Sequence, residues 1–197
     1  MTKVQNVCVY CGSSPGSDPV HTAAAYRFGT ILAEAGVRLV YGGGGLGLMG
    51  TVARAVRNGG GHVTGIIPDF LMAREGILLE VDEQIIVPDM HTRKRLMFER
   101  SDAFVALPGG IGTLEELVEI LTWAQLGRHT KPILIADIDG FWQPLLDLLS
   151  HMTEKGFLKS AFAARYLVAT AIEDVLPRLI AASVPKPAAD AVPIDRL

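Results

Sequence analysis

The chain is poor in the residues that build covalent or metal-bound scaffolds. It has 2 cysteines in 197 residues, Cys8 and Cys11, in the order C-x-x-C. That spacing could mark a redox pair or half of a zinc site. The run from Val4 to Tyr10 reads as a strand, on which positions three apart point to opposite faces about 10 Å apart, too far for a disulfide. A second C-x-x-C is missing, so the expectation is one core cysteine and one at a strand end. The 5 histidines, His21, His62, His91, His129 and His151, show no H-E-x-x-H or other ligand spacing. No metal site is read, and no metal or redox cofactor is expected. Charge of one sign is lacking too. The formal charge is −3, the pI is about 5.9, and no basic run exceeds Arg93-Lys94-Arg95, which argues against a general nucleic-acid surface. No apolar run reaches the roughly 18 residues of a spanning helix, and the N-terminus lacks a signal-peptide pattern. The expectation is a cytoplasmic protein without membrane contact. No internal repeat is evident.

What the chain has is apolar content, 49% of residues, enough for one substantial core. Apolar runs alternate with helical patterns from end to end. Strands are expected near Val4–Tyr10, Arg38–Tyr41, Val63–Ile66, Gln84–Val87, Ala103–Leu107, Ile133–Ala136 and Tyr166–Ala169, with helices of about ten to eighteen residues between them. This is the pattern of right-handed β-α-β crossovers. It predicts an α/β, doubly wound parallel sheet with helices on both faces. The alternation stalls between Pro68 and Glu83, a stretch long enough to form a lid or flap. Residues 1–182 read as a single nucleotide-binding domain, and 183–197 as a peripheral Pro/Ala-rich tail.

Ligands of such sheets bind beyond the carboxyl ends of the strands, and the glycine-rich segments fall there: Cys11–Ser14, Gly42–Gly50 and Pro108–Gly112. The last of these, Pro108-Gly109-Gly110-Ile111-Gly112-Thr113-Leu114-Glu115-Glu116, follows a strand and opens a helix. Its glycines allow close backbone approach, the free N–H groups of the helix start favour a phosphate, and Thr113 adds a hydroxyl. Carboxylates directly after it would repel that phosphate unless they address another part of the ligand, such as a sugar. Gly45-Leu46-Gly47-Leu48-Met49-Gly50 matches G-x-G-x-x-G, with Asp69 near the distance of a ribose-binding carboxylate. It follows the second strand rather than the first. Dinucleotide binding, close helix-on-strand packing, and a mononucleotide cleft with Gly43 and Gly44 against the substrate all remain open.

Thr113-Leu114-Glu115-Glu116 is also a capping box, with Thr113 at the N-cap and Glu116 reaching back to it. Cap and catalyst are equally open for Glu116. On the helical wheel Leu114, Leu117, Val118, Leu121 and Ala124 form the core stripe, while Ile120 and Trp123 lie off it. A second apolar face of that kind suggests a partner subunit, hence a homodimer or larger homo-oligomer. In Pro88-Asp89-Met90-His91-Thr92-Arg93-Lys94, Asp89 is a candidate N-cap. Met90, Arg93, Leu96 and Met97 share the buried face, Lys94 borders it, and Arg95 points to solvent. Arg93 either snorkels along that stripe or pairs with a carboxylate or a ligand oxygen.

Cys11–Ser14, Gly42–Gly45 with Gly47–Gly50, Met90–Lys94 and Pro108–Glu116 together resemble the Lonely Guy (LOG) family, from about Val4 to Ile180. Its members are cytokinin riboside 5′-monophosphate phosphoribohydrolases, formerly labelled possible lysine decarboxylases, with a Rossmann-like fold and dimeric or larger assemblies. The resemblance implies that the catalytic residues are Arg93 and Glu116. It implies phosphate contacts at Gly109, Gly110, Gly112 and Thr113 within a substrate-binding run that includes Ile111 and Leu114, with Ser14 nearby. It puts Glu75, Met90, Lys94, Glu115 and Thr122 near ribose or base.

The reaction so implied is hydrolysis of the N-glycosidic bond of a purine nucleoside 5′-monophosphate, a cytokinin nucleotide or AMP, to free base and ribose 5-phosphate. A carboxylate can stabilise the oxocarbenium-like transition state and activate water. Two other classes compete. A pyridoxal-phosphate decarboxylase needs a Schiff-base lysine, for which Lys94 and Lys131 are the candidates, neither in a cofactor motif. A non-catalytic nucleotide or cofactor carrier on the same fold would bind AMP without releasing adenine.

Overall fold

The computed structural model describes residues 4–75 and 80–183. Seven strands form one parallel sheet in the order β4-β3-β2-β1-β5-β6-β7. They are β1 (Asn6–Tyr10), β2 (Arg38–Tyr41), β3 (Val63–Pro68), β4 (Glu83–Val87), β5 (Ala103–Ala106), β6 (Ile133–Ala136) and β7 (Leu167–Ala169). Strand order reverses between β1 and β5, which makes that crevice the switch point of a Rossmann-like sheet. The expected architecture is therefore the observed one, with strand ends displaced by one or two residues.

Each face of the sheet takes alternate side chains of every central strand. On β1, Val7 and Val9 join a core with Phe28, Leu32, Val52 and Val56, residues of α1 (Pro19–Glu34) and α2 (Gly47–Asn58). Cys8 and Tyr10 join the opposite core with Met97, Leu117 and Leu121, residues of α4 (Met90–Glu99) and α5 (Ile111–Gln125). α6 (Gln143–Glu154) covers this second face, and α7 (Val175–Ser183) the first. Both cysteines are buried and free, and burial pushes both thiols well up. Cys8 lies in the second core, and Cys11, just past the end of β1, is buried in the first.

Local signals set the helix starts. Asp18 caps α1 by accepting from the Val20 N–H at 2.9 Å, with Pro19 at the first helical position. Asp89 caps α4 by accepting from the Thr92 N–H at 2.7 Å. The expected stall after Pro68 opens as a short helix, α3 (Asp69–Glu75). The stretch 76–79 and the Pro/Ala-rich tail, 184–197, lie outside the described residues.

Candidate active site

The loops at the carboxyl ends of β1, β2 and β5 are fastened to one another by main-chain bonds. The Gly12 N–H donates to the Pro108 carbonyl at 3.1 Å, and the Met49 N–H to the Gly12 carbonyl at 3.2 Å. Beside the switch point they enclose a cleft of about 220 Å³, whose walls include Gly12, Ser14, His21, Gly109, Gly110 and Phe141. Gly50 opens no space here: a Cβ on it would lie 2.0 Å from the Gly45 carbonyl oxygen. The G-x-G-x-x-G run therefore serves close packing at the start of α2. Gly43 is buried against β3, where a Cβ would lie 2.9 Å from that of Ile67, and Gly44 is buried beside it.

α5 begins at Ile111, with Gly110 as an extended N-cap residue and no side-chain cap. The first-turn N–H groups thus meet no side-chain acceptor among the described residues, the arrangement that draws an anion to a helix start. Thr113, 4% exposed, folds back over this turn. A Cβ on Gly109 would lie 2.2 Å from its Oγ1 and 2.8 Å from the Gly12 nitrogen, so the loop closes only around glycine. This start corrects the capping box. Thr113 lies inside the first turn, and Glu116 is a further turn on, with its carboxylate facing α4.

There it meets Arg93. The Arg93 Nη1 lies 3.3 Å from Glu116 Oε1, and both side chains are 9% exposed. Arg93 Nε donates to the Ile66 carbonyl at 3.2 Å and Nη2 to the Gly42 carbonyl at 3.4 Å, while Met90 Sδ lies 3.8 Å from Nη1. Of the two readings of Arg93, pairing is the one the structure adopts. A Cβ on Gly42 would lie 2.0 Å from Nη2, so the guanidinium occupies the space that a side chain would have taken. Burial pushes the Glu116 carboxyl above the ordinary carboxylate range; Arg93 opposes this and the Glu115 charge adds to it. Among the described residues Glu116 is held through Oε1, by Arg93. A buried carboxylate fixed at one oxygen can hold and deprotonate a water with the other.

The remaining expected residues divide. Ser14 lines the cleft. Lys94 Nζ sits between Glu115 Oε1 at 2.6 Å and Glu119 Oε1 at 3.0 Å. Leu114 and Ile111, the latter 82% exposed, edge an apolar groove with Phe141, Trp142, Leu145 and Leu148 that meets the cleft at Gly109 and Gly110. Thr122 is exposed, its hydroxyl bonded to the Val118 carbonyl, and is not brought to the Arg93–Glu116 pair. The Glu75 side chain lies outside the described residues. The wheel of α5 also needs correction: Ile120 is buried in the core and Val118 is 44% exposed. The helix is rotated so that Glu116 and Ile120 face inward, and the apolar residues on its outer side are Ile111 and Val118, with Leu126 just past its end.

Neither lysine stands free for a Schiff base. Lys94 is held by carboxylates, and Lys131 Nζ donates to the Phe98 carbonyl at 2.7 Å while lying 3.9 Å above the Phe98 ring. Among the described residues no cluster of His, Cys, Asp and Glu could hold a metal, and no helix is long and apolar enough to cross a membrane.

Residues 49–179 match the family described as possible lysine decarboxylase. A cytokinin riboside 5′-monophosphate phosphoribohydrolase of Arabidopsis thaliana, LOG1, is 45% identical over 186 residues, covering 90% of this chain and 86% of that protein. A probable enzyme of the same name from Oryza sativa subsp. japonica, LOGL2, is 48% identical over 170 residues, 86% of this chain and 69% of that protein. Among solved structures, the molybdenum cofactor binding protein of Rippkaea orientalis superposes with a TM-score of 0.67 at 22% identity, over 91% of this chain and 97% of that one. The molybdenum cofactor carrier protein of Chlamydomonas reinhardtii does so with a TM-score of 0.67 at 19% identity, over 91% and 99%. At such identities these two structures show a shared fold.

Proposed function

The chain belongs to the LOG family, and on that premise we propose that it is a phosphoribohydrolase. It cleaves the N-glycosidic bond of purine nucleoside 5′-monophosphates of the cytokinin or AMP type. The observation that carries this reading is the buried Arg93–Glu116 pair, 3.3 Å apart, one helical turn beyond the uncapped start of α5. The 5′-phosphate takes the N–H groups and hydroxyl between Gly109 and Thr113, with Ser14 on the facing loop. The ribose then lies toward Glu116. As the bond from C1′ to the glycosidic nitrogen breaks, positive charge develops at C1′ and the ring oxygen, and the Glu116 carboxylate stabilises it. The same carboxylate takes a proton from the water that adds to C1′ and returns it to solvent, from which the departing purine is protonated at its nitrogen. A carboxyl whose proton affinity is raised by burial is the better base. Arg93 keeps its proton, so its work is to hold Glu116 and the sugar phosphate in place. Lys94, Glu115 and Met90 flank the pair on the ribose and base side.

Residues 1–182 are read as one nucleotide-binding domain, α7 carrying it on to Ser183, and 184–197 lie outside the described residues. The exposed Ile111, Val118 and Leu126 support a homodimer in which this side of α5 is covered, bringing Glu115 and Thr122 to the seam. Light scattering after size exclusion should give at least twice the 21.1 kDa of one chain; a monomer at micromolar concentration would refute the dimer. For the reaction itself, the protein is incubated with a panel of nucleoside monophosphates, a riboside and a triphosphate, and free base is quantified by chromatography. Base should appear from monophosphates alone. Bound AMP with no release of adenine would instead establish a carrier.

A further inference from the structure

Two cross-links join α4 to α5, one residue apart on each helix. Arg93 to Glu116 is the first. The second is Lys94, whose side chain is 11% exposed and whose ammonium is held between Glu115 and Glu119 at 2.6 and 3.0 Å. Glu115 and Glu119 stand four apart on α5, on adjacent turns of one face, where two like charges repel unless a cation lies between them. The function proposed above gives Glu119 no task. Its side chain is 28% exposed, too enclosed for an ordinary solvated surface charge.

We propose that Glu119 is a positioning residue of the hydrolytic site: with Glu115 it clamps Lys94 across the α4–α5 seam, fixing the register in which Arg93 meets Glu116 and the charge balance around Glu116. The inference rests on the proposed reaction only for its consequence in turnover. The groups that act electrostatically on Glu116 are Arg93 and Lys94 from α4, Glu115 and Glu119 from α5, Cys8 and Tyr10 from β1, and Cys11 just past its end. Burial raises the proton affinity of Cys8, Tyr10 and Cys11, which keeps them neutral. The charged set therefore carries two cations and three carboxylates, and Glu119, like Glu115, both pushes on Glu116 and retains the nearby Lys94. Burial is the largest influence on Glu116 and raises its proton affinity; Arg93 and then Lys94 lower it, while Glu115 and, less strongly, Glu119 raise it.

The test is a pair of variants with opposite expected effects, Glu119→Gln and Lys94→Met, each read by two measurements. The first follows the 13C signal of the Glu116 carboxyl against pH in labelled protein, identified by its loss in Glu116→Gln. Glu119→Gln removes a repulsive charge and should move that titration down, while Lys94→Met should move it up, each by about 0.5 pH unit, as one charge a helical turn away does in a partly solvated site. The second is the pH profile of base release from AMP, whose acid limb should shift in the same two directions. Unmoved titrations, or shifts of one sign in both variants, would overturn the clamp, since loss of packing alone lowers rate without this opposition. Absence of base release from the parent protein would sink the proposed reaction, and the NMR titrations would still decide the clamp.

Discussion

Substituting Gly42 by alanine adds one methyl group at the point where the Arg93 guanidinium crosses the loop after β2. The added carbon would lie 2.0 Å from Nη2 and 3.2 Å from both Cζ and Met49 Sδ. A carbon and a nitrogen rest about 3.5 Å apart, so the guanidinium must retreat by roughly 1.5 Å. The fold has an easier path than the site. The first atom struck is the tip of a side chain, and Gly42 is not among the residues with positive φ, so the main chain accepts alanine. Overpacking of this kind costs about 1–3 kcal/mol, which leaves the protein folded at room temperature. Arg93, however, cannot retreat while keeping its bond to the Gly42 carbonyl at 3.4 Å and its contact with Glu116 at 3.3 Å. A displacement near 1 Å in a positioned group lowers rate by about 10²-fold. Gly42→Ala should therefore reduce the kcat/KM of base release by about 10²-fold, with far-UV circular dichroism unchanged and the nucleotide still bound through the start of α5. The assay is chromatographic release of adenine from AMP across a range of substrate concentrations, alongside a thermal melt. A variant within threefold of the parent would refute the claim that the Gly42 approach holds Arg93 in its working position.

Glu116→Gln keeps the size of the side chain but removes base and negative charge. Base release should fall by about 10²–10⁴-fold, with AMP binding retained in calorimetry, and near-normal turnover would remove Glu116 from the chemistry. Because Glu116 must be ionised and burial raises its proton affinity, the parent's rate should fall on the acid side with a midpoint above the ordinary glutamate value of about 4.3; a midpoint at or below that value contradicts the assignment. Stability runs the opposite way with pH. Between the ordinary value and the raised one the folded chain binds more protons than the unfolded chain, so stability declines as pH rises through that window. Melts of the parent against Glu116→Gln over a pH series should show this slope only in the parent. Gly109→Ala drives a methyl group into Thr113 Oγ1 and the Gly12 nitrogen, and should weaken AMP binding, read by calorimetry, by at least tenfold while binding of the riboside changes little; equal losses for both would place the phosphate elsewhere.

The sheet was legible because a buried parallel strand leaves a compact record: a short apolar run, turn residues, then a helical stripe. Strand periodicity alone puts Cys8 and Cys11 on opposite faces, and each is buried in the core of its face. Arg93 was legible as an inward-facing cation because three other residues of its stripe are apolar. What could not be read were partners without side chains. The Ile66 and Gly42 carbonyls that hold Arg93 leave no trace in residue type, and a glycine conserving space for a guanidinium looks like any other in a run of four. Glu119 had a faint signal, its i+4 spacing from Glu115, which gains meaning only once Lys94 is seen between the two.

The start of α5 shows why a local motif misled. Thr113 and Glu116 fit a capping box by spacing, and a cap at Thr113 would have started the helix after that residue. The two glycines before Ile111 instead allow an extended turn that ends at Gly110, so the helix starts earlier and its first turn lacks a side-chain cap. With glycine as the N-cap that omission costs about a few tenths of a kcal/mol relative to a side-chain-capped helix. A serine or aspartate at position 110 would recover this energy by accepting from the same N–H groups that an anion needs, and would compete with the ligand for them. With glycine there, the phosphate of the proposed substrate would itself supply the cap, and the stabilisation forgone at the open helix start would reappear as affinity. The early start also carries Glu116 past the first turn and round to α4, where Arg93 waits. The residue that looked divided between cap and catalyst is thus freed from capping by the same two glycines that leave the helix start open.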